Sequence, residues 1–169
     1  MTAPAWSIRT LGANEPTTAV TALLHRAYAR LAAMGLNFTA VDQDDATTAR
    51  RARRGTCLLA ESKKSLVGTL SLHGPDEENQ TEWFTRKDVV VVEQFAVEPA
   101  LQGAGIGGAL MAEAEWRAAA GGAAHLVGDT AEPATHLVWF YERLGFRVVD
   151  HVRWPGKTYR SVILAKPLR

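Results

Sequence analysis

The sequence has a single cysteine, Cys57, so an internal disulfide is excluded. Cys57 lies in the apolar run Thr56-Cys57-Leu58-Leu59-Ala60. It reads as a small buried hydrophobe, because a reactive thiol needs an electropositive and partly exposed setting. No apolar stretch is long enough to span a bilayer. The N-terminal segment MTAPAWSIRT lacks the basic and apolar regions of a secretory leader. A cytoplasmic protein without a membrane partner is expected. A large excess of one charge is missing too: 19 Lys and Arg face 18 Asp and Glu, which argues against a nucleic-acid partner. The five histidines have no metal-ligand spacing and no cysteine cluster beside them, so no metal is expected. His73 and His151 could line an acceptor pocket but read rather as surface or hydrogen-bonded groups, and Ser161 stands in no nucleophile motif. Repeats and low-complexity tails are lacking, and the length suits one domain over residues 1–169.

What charge there is gathers at Arg50, Arg51, Arg53 and Arg54. The run reads as the solvated face of a helix, with a phosphate contact as its rival. Around it the pattern alternates between strand and helix periods. AWSIRTL (5–11) suits a strand. Val20, Leu23, Leu24, Ala27, Tyr28 and Leu31 recur at helical spacing after Pro16 and before Gly35. Asp42, Asp44 or Asp45 caps a second helix running to Arg54. Residues 57–62 and 65–74 form two strands about a turn at Lys63-Lys64, and residues 75–87 an exposed connection carrying Trp83 and Phe84. VVVVEQFAV (89–97) is the strongest strand signal, apolar enough for burial on both faces and a central place. A helix opens near Gly105, a strand follows at 124–130, and Pro133 opens a helix closed by Gly145. FRVVDHVRW and KTYRSVILAKPL are two last strands, antiparallel across Pro155-Gly156, the final one offering a possible edge for a second copy. The order β-α-α-β-β-β-α-β-α-β-β predicts an α/β (α+β) fold: a mixed, mostly antiparallel central sheet flanked by helices.

The segment LQGAGIGGAL (101–110) raises the functional question. Gly103-Ala104-Gly105-Ile106-Gly107-Gly108 fits the dinucleotide fingerprint G-x-G-x-x-G, and Asp129 lies roughly 20 residues on, where a ribose-binding acid is expected. Gln102-Gly103-Ala104-Gly105-Ile106-Gly107 fits a second pattern, [RQ]-x-x-G-x-[GA]. Both aim backbone N–H groups at a pyrophosphate on a helix N-terminus. Against the first stand the residues 98–102 between strand and glycines, the short chain left after Asp129, and the element order. Glu93, a carboxylate within a buried strand, also asks for a partner or a function.

The second pattern has company. Val97 to Leu110 reads V-x-P-x-x-Q-G-x-G-I-G-x-A-L, and further on stands Phe140-Tyr141-Glu142-Arg143-Leu144-Gly145-Phe146. Over about residues 89–150 the chain resembles the GCN5-related N-acetyltransferase (GNAT) superfamily. The resemblance implies a GNAT-like acyl-CoA N-acyltransferase fold and transfer of an acetyl group from acetyl-CoA, as co-substrate, to a primary amine. The acceptor is a small molecule or a peptide, and the chain a monomer or homodimer. One departure is Ala134, where many members carry asparagine; its part in holding the cofactor falls to Thr130, Thr135 or His136.

Residue types agree with that chemistry. N–H groups from Gln102, Gly103, Ala104, Gly105, Ile106, Gly107 and Gly108 suit a pyrophosphate without a lysine. The backbone of Phe95, Ala96 and Val97 is placed to pair with an amide-rich pantetheine arm. The resemblance implies a bulge in this strand and a backbone N–H that polarises the thioester carbonyl. It also makes Tyr141 the acid that protonates the departing thiolate, where pattern alone allows a half-buried core tyrosine equally. Glu93 is the candidate general base for the incoming ammonium, with a structural carboxylate paired to an arginine as the alternative. Strict alternation puts Glu93 on one face with Val91 and Phe95, unless a bulge intervenes. The acceptor is expected between loops 35–45, 76–87 and 154–159. Asp42, Asp44, Asp45, Asp76, Glu77 and Glu78 could attract a cation there, though solubility and capping are their ordinary roles. Two other readings remain: a non-catalytic acyl-CoA-binding sensor or partner module of the same fold, and a small nicotinamide-dependent oxidoreductase.

Overall fold

The computed structural model describes residues 5–168. Its elements are β1 (Ser7–Thr10), α1 (Thr18–Ala33), α2 (Asp45–Ala52), β2 (Thr56–Ser62), β3 (Ser65–His73), α3 (Glu82–Thr85), β4 (Val89–Val97), α4 (Ile106–Ala120), β5 (His125–Ala131), α5 (Thr135–Arg143), β6 (Arg147–Val152) and β7 (Ser161–Pro167). They build one seven-stranded sheet in the order β1-β2-β3-β4-β5-β7-β6. Only β4 and β5 run parallel, and α4 supplies the crossover that a parallel pair requires. This is the mixed, mostly antiparallel sheet expected, and it removes the doubly wound architecture of the nicotinamide reading.

Local chemistry explains most boundaries. Asp44 is the residue that caps α2, its Oδ1 accepting from the Thr47 N–H at 2.8 Å; the helix stops at Ala52 rather than Arg54. Lys63 and Lys64 both have positive φ, +48° and +67°, as the tightest hairpin turns demand. Residues 157–160 are not strand as expected. Thr158 donates from N–H and hydroxyl to Asn37 Oδ1 and the Gly35 carbonyl, and Tyr159 is buried, so loop 155–159 is knitted to loop 35–39 instead. β7 is no edge either: it lies between β5 and β6, because its apolar run Val162–Ala165 needs both faces covered. The free edges belong to β1 and β6. The connection 75–87 is not simply exposed: α3 turns Phe84 into a cluster with Val89, Val91, Val127, Ile163 and Ala165.

Helices cover both faces of β2–β4. α4 lays Ile106, Leu110, Met111, Ala114 and Ala118 on Leu58, Leu70 and Val92. It sits close because β3 carries Gly68: a Cβ there would lie 2.9 Å from both Ile106 Cγ2 and Leu110 Cδ1. α1 and α2 bring Val20, Leu23, Leu24 and Ala52 against Cys57, Leu59 and Ala96. Each fully buried leucine contributes about 2 kcal/mol. Cys57 is thus core, and burial pushes its thiol up.

β4 is where the regular sheet fails. Its pairing with β3 steps from Ser71↔Glu93 to Thr69↔Ala96, two residues against three, and Gln94 has φ +49°. That is a β-bulge. A left-handed non-glycine costs about 1–2 kcal/mol. The buried Gln94 side chain offsets it: Oε1 accepts from Gln43 Nε2 at 2.6 Å, and Nε2 donates to Ser71 Oγ at 3.3 Å. The bulge corrects the simple alternation. Glu93 stays on the α1/α2 face, but Phe95 turns to the α4 face with Val90 and Val97.

Candidate active site

β4 and β5 are bonded only from Val89–Val91 to His125–Val127, and then they part. The gap is a cleft of about 870 Å³. Phe95, Ala96, Val97, Gln102, Gly103, Gly105, Ile106, Gly107 and Gly108 all line it. Ala104 does not: it is exposed, and its N–H donates to the Leu101 carbonyl at 3.3 Å. The α4 start has the geometry that an anion needs. Gly103 and Gly105 take φ of +84° and +90°, which turn the chain abruptly into the helix. The N–H groups of Gly103, Gly105, Ile106, Gly107 and Gly108 have no backbone acceptor among the described residues. The Ile106 side chain is core and anchors this end. A fifteen-residue helix adds the positive end of its dipole. A pyrophosphate therefore fits here without a side-chain cation.

The strand edge beside it is free past Val91, as an extended amide chain requires. Two side chains steady it: Tyr28 donates from its hydroxyl to the Phe95 carbonyl at 3.0 Å, and Gln102 Nε2 donates to the Val97 carbonyl at 3.3 Å. Ala134 caps α5 and is fully buried among Leu31, Leu36 and Tyr159. Of the residues considered for the missing asparagine's task, Thr130 and His136 line the cleft and Thr135 does not.

Tyr141 lines the cleft from α5. Its ring stands edge-on to Phe95, Phe140 and Phe146, with centroids 6.3, 5.8 and 5.4 Å away. None of the side-chain hydrogen bonds among the described residues uses its hydroxyl. Burial, then the neighbouring Tyr28 and Asp129, push the phenol up, so it holds its proton at neutral pH.

Glu93 has the partner that a buried carboxylate needs. Arg51 donates to its Oε2 from Nη2 at 3.1 Å and Nε at 3.3 Å, and from Nη1 to Gln43 Oε1 at 2.7 Å. Glu93 Oε1 is buried without a hydrogen bond, 4.0 Å from His73 Nε2. Burial lowers His73 despite Glu93, and its Nδ1 is 2.7 Å from the Gly74 carbonyl, so the neutral ring carries its proton there and Nε2 is bare.

Four further groups define the other end, and sequence reasoning gave them other roles. Asp129, considered only for a ribose, lies in the C-terminal half of β5 and lines the cleft; Trp154 Nε1 donates to its Oδ2 at 2.8 Å. Burial raises its carboxyl, against the pull of Trp154 and Arg51. Arg51 belongs to the run read as solvated, yet its side chain is only 20% exposed. Tyr28 was an apolar-face residue of α1. Lys157 donates to the Asn37 carbonyl at 2.8 Å and Thr39 Oγ1 at 3.0 Å, and burial lowers it. The one available signal was Glu93: a carboxylate in such a strand implied a cation from a packed helix. Phe38 stacks between Tyr28 and Tyr159 at 5.5 and 5.1 Å. Loops 35–45 and 154–159 thus frame the cleft as expected, but no residue of 76–87 reaches it. Nor does Asp42, Asp44, Asp45, Asp76, Glu77 or Glu78 line it. Among the described residues no group of three or more His, Cys, Asp or Glu is placed to hold a metal, and no helix is long and apolar enough to cross a membrane.

Comparison with known proteins agrees with this geometry. The family model described as "Acetyltransferase (GNAT) domain" matches residues 53–148, more than half of the chain. The search of curated proteins gives no match. Among solved structures, the chain is similar to the ribosomal-protein-S18-alanine N-acetyltransferase from Escherichia coli, with TM-score 0.73, 18% identity, and coverage of 96% of this chain and 94% of that one. It is similar to a GNAT family acetyltransferase from Elizabethkingia anophelis with acetyl-CoA bound, with TM-score 0.71, 19% identity, and 98% and 100% coverage. Ard1 from Thermoplasma volcanium gives TM-score 0.75 at 13% identity, with 98% and 99% coverage. At these identities the likeness is one of fold.

Proposed function

The chain belongs to the GNAT acetyltransferase family, and on that premise we propose that it transfers the acetyl group of acetyl-CoA to a primary amine in the cleft between β4 and β5. One observation carries the reading: the cleft joins a helix start with spare N–H groups to a tyrosine that holds its proton and has no hydrogen-bond partner. Acetyl-CoA supplies an activated acyl group, whose thioester carbon takes the amine's lone pair and whose thiolate leaves.

The protein's part is binding, polarisation and proton traffic. N–H groups at Gly103 and Gly105–Gly108 hold the pyrophosphate, and the bulged edge at Phe95–Val97 holds the amide arm and polarises the carbonyl. Tyr141 gives its proton to the thiolate. Of the two cleft carboxylates, Asp129 suits the amine's proton better than Glu93. Burial raises Asp129, which makes it a stronger base than an ordinary aspartate, and its charge is felt by Tyr28, Tyr141, Tyr159 and Lys157. Glu93, the base suggested by sequence, spends Oε2 on Arg51. Its task in this scheme is to fix Arg51 and the bulge.

The test is thiol release from acetyl-CoA over a panel of primary amines, with Tyr141→Phe beside the parent. We expect amine-dependent release that falls about 10²-fold in the variant, with unchanged melting because the hydroxyl bonds to nothing among the described residues. Equal rates in both would remove Tyr141 from the mechanism. Acetyl-CoA binding without release for any amine would turn the reading to a non-catalytic acyl-CoA-binding module.

A further inference from the structure

Beside the cleft lies a second hollow of about 590 Å³, lined by Thr39, Thr47, Arg50, Arg51 and Arg54. Thr39 and Arg51 line both, so the two spaces are neighbours that share a wall. Residues 47, 50, 51 and 54 follow the i, i+3, i+4, i+7 rule, which puts Thr47 and three guanidinium groups on one face of α2 and its C-terminal turn.

These arginines are not equally satisfied. Arg51 is held by Glu93 and Gln43. Arg54 reaches Asp76 at 3.5 Å, a loose and half-exposed pair. Arg53 points away, to the carbonyls of Ala13 and Glu15. Arg50 has no ion pair or side-chain hydrogen bond among the described residues. No carboxylate lines the hollow. Of the nearby acids, Asp44 caps α2 and is held below the usual carboxylate range first by Thr47 and in part by the Arg50 charge, and Asp45 accepts from Thr18. Cations in a last helical turn do complement the dipole. That does not explain like charges four residues apart, Arg50 and Arg54, which repel each other, over a hollow that adjoins the cleft.

We propose that the acceptor amine carries an oxyanion, a carboxylate or a phosphate, which sits in the Arg50/Arg54 hollow while its amino group enters the cleft toward Asp129. The inference rests on the acetyltransferase reading and names the acceptor class for it. Guanidinium forks match both oxyanions in bidentate fashion, and Arg51 stands between the two ends. The acceptor is therefore two-poled: a purely cationic polyamine meets repulsion here, and a neutral amine gains nothing.

The experiment compares one aminoalkyl chain ending in carboxylate, phosphate or carboxamide, with wild type, Arg50→Gln and Arg50→Gln/Arg54→Gln. Thiol release gives kcat and KM, and calorimetry gives binding of each compound without turnover. In wild type the preferred oxyanion should have a KM at least tenfold below the carboxamide, with similar kcat; the better of the two names the group. In the double variant that ratio should collapse toward one, with part of the loss in the single variant. Equal KM for carboxamide and oxyanions in wild type overturns the proposal, as does a preference that survives the double variant. If no amine is acetylated, the acetyltransferase reading fails separately. Calorimetry then decides this one: oxyanion binding lost in the double variant supports it, and no binding overturns it.

Discussion

Replacing Arg51 by methionine isolates the interaction that holds α2, the bulge and the cleft together. Methionine keeps an unbranched chain and removes the charge. Glu93 would lose both of its hydrogen bonds, at 3.1 and 3.3 Å, while its Oε1 has none already and faces the bare Nε2 of His73. Gln43 Oε1 would lose its donor at 2.7 Å. Breaking a buried pair from one side costs about 3–5 kcal/mol. Side-chain exposures of 20% for Arg51 and 16% for Glu93 favour the lower end. The orphaned Gln43 oxygen adds about 1 kcal/mol. A total of about 4 kcal/mol corresponds to a fall in Tm of roughly 8–16 °C for a chain of this size. Adding Glu93→Gln removes the stranded charge, so the double variant should lie within about 1–2 kcal/mol of wild type. Thermal and urea unfolding of the two single variants and the double variant close the cycle. A loss under about 0.5 kcal/mol for Arg51→Met, or simple additivity in the double variant, would refute the pair as a buried structural bond.

Asp129→Asn tests the proposed base through pH. Burial raises the folded carboxyl above its unfolded value, so wild-type stability falls as pH rises through that window; the variant, which keeps an acceptor for Trp154, should melt higher at neutral pH, with the gap closing below about pH 4. Its kcat should fall about 10²-fold and lose the limb that reports the base; a wild type more stable than the variant at pH 7 would contradict the desolvated carboxylate. Gly105→Ala forces a side chain to φ +90°, costing about 1–2 kcal/mol and turning the N–H groups from the cleft, so calorimetry should show acetyl-CoA binding weakened at least tenfold. Tyr28→Phe deletes the bond to the Phe95 carbonyl; about 1 kcal/mol of stability and a raised KM for acetyl-CoA are expected, and an unchanged KM would show that the bulge holds itself.

The site was legible where the chemistry is local. Glycines at 103 and 105 take left-handed φ, and the apolar spacing of α4 follows them, so the shape of this corner needed only sequence neighbours. Asp44, next to α2, capped it as its position suggested. Tyr141 was singled out through its surrounding segment and not through any property of one phenol. The misplacements have long-range causes. Phe95 changed face because one extra residue in β4 is stabilised by Gln43 and Ser71, fifty-one and twenty-three positions away. Loop 157–160 left the strand because Asn37, on the far side of the chain, took its N–H.

Residue patterns alone carried most of the elements and their order, the glycine turn and the charge types available, though not α3 or the loop at 157–160. Those depend on period, capping and backbone sterics, which act over a few residues. Packing settled that Arg51 faces Glu93 while Arg50 has no ion pair among the described residues, that Asp129 is desolvated beside Trp154, and that β4 and β5 part after three pairs. The reason is physical: a side chain's charge, burial and partner are set by which distant segments the packed sheet brings to the same wall, and that information is in no short window of the chain.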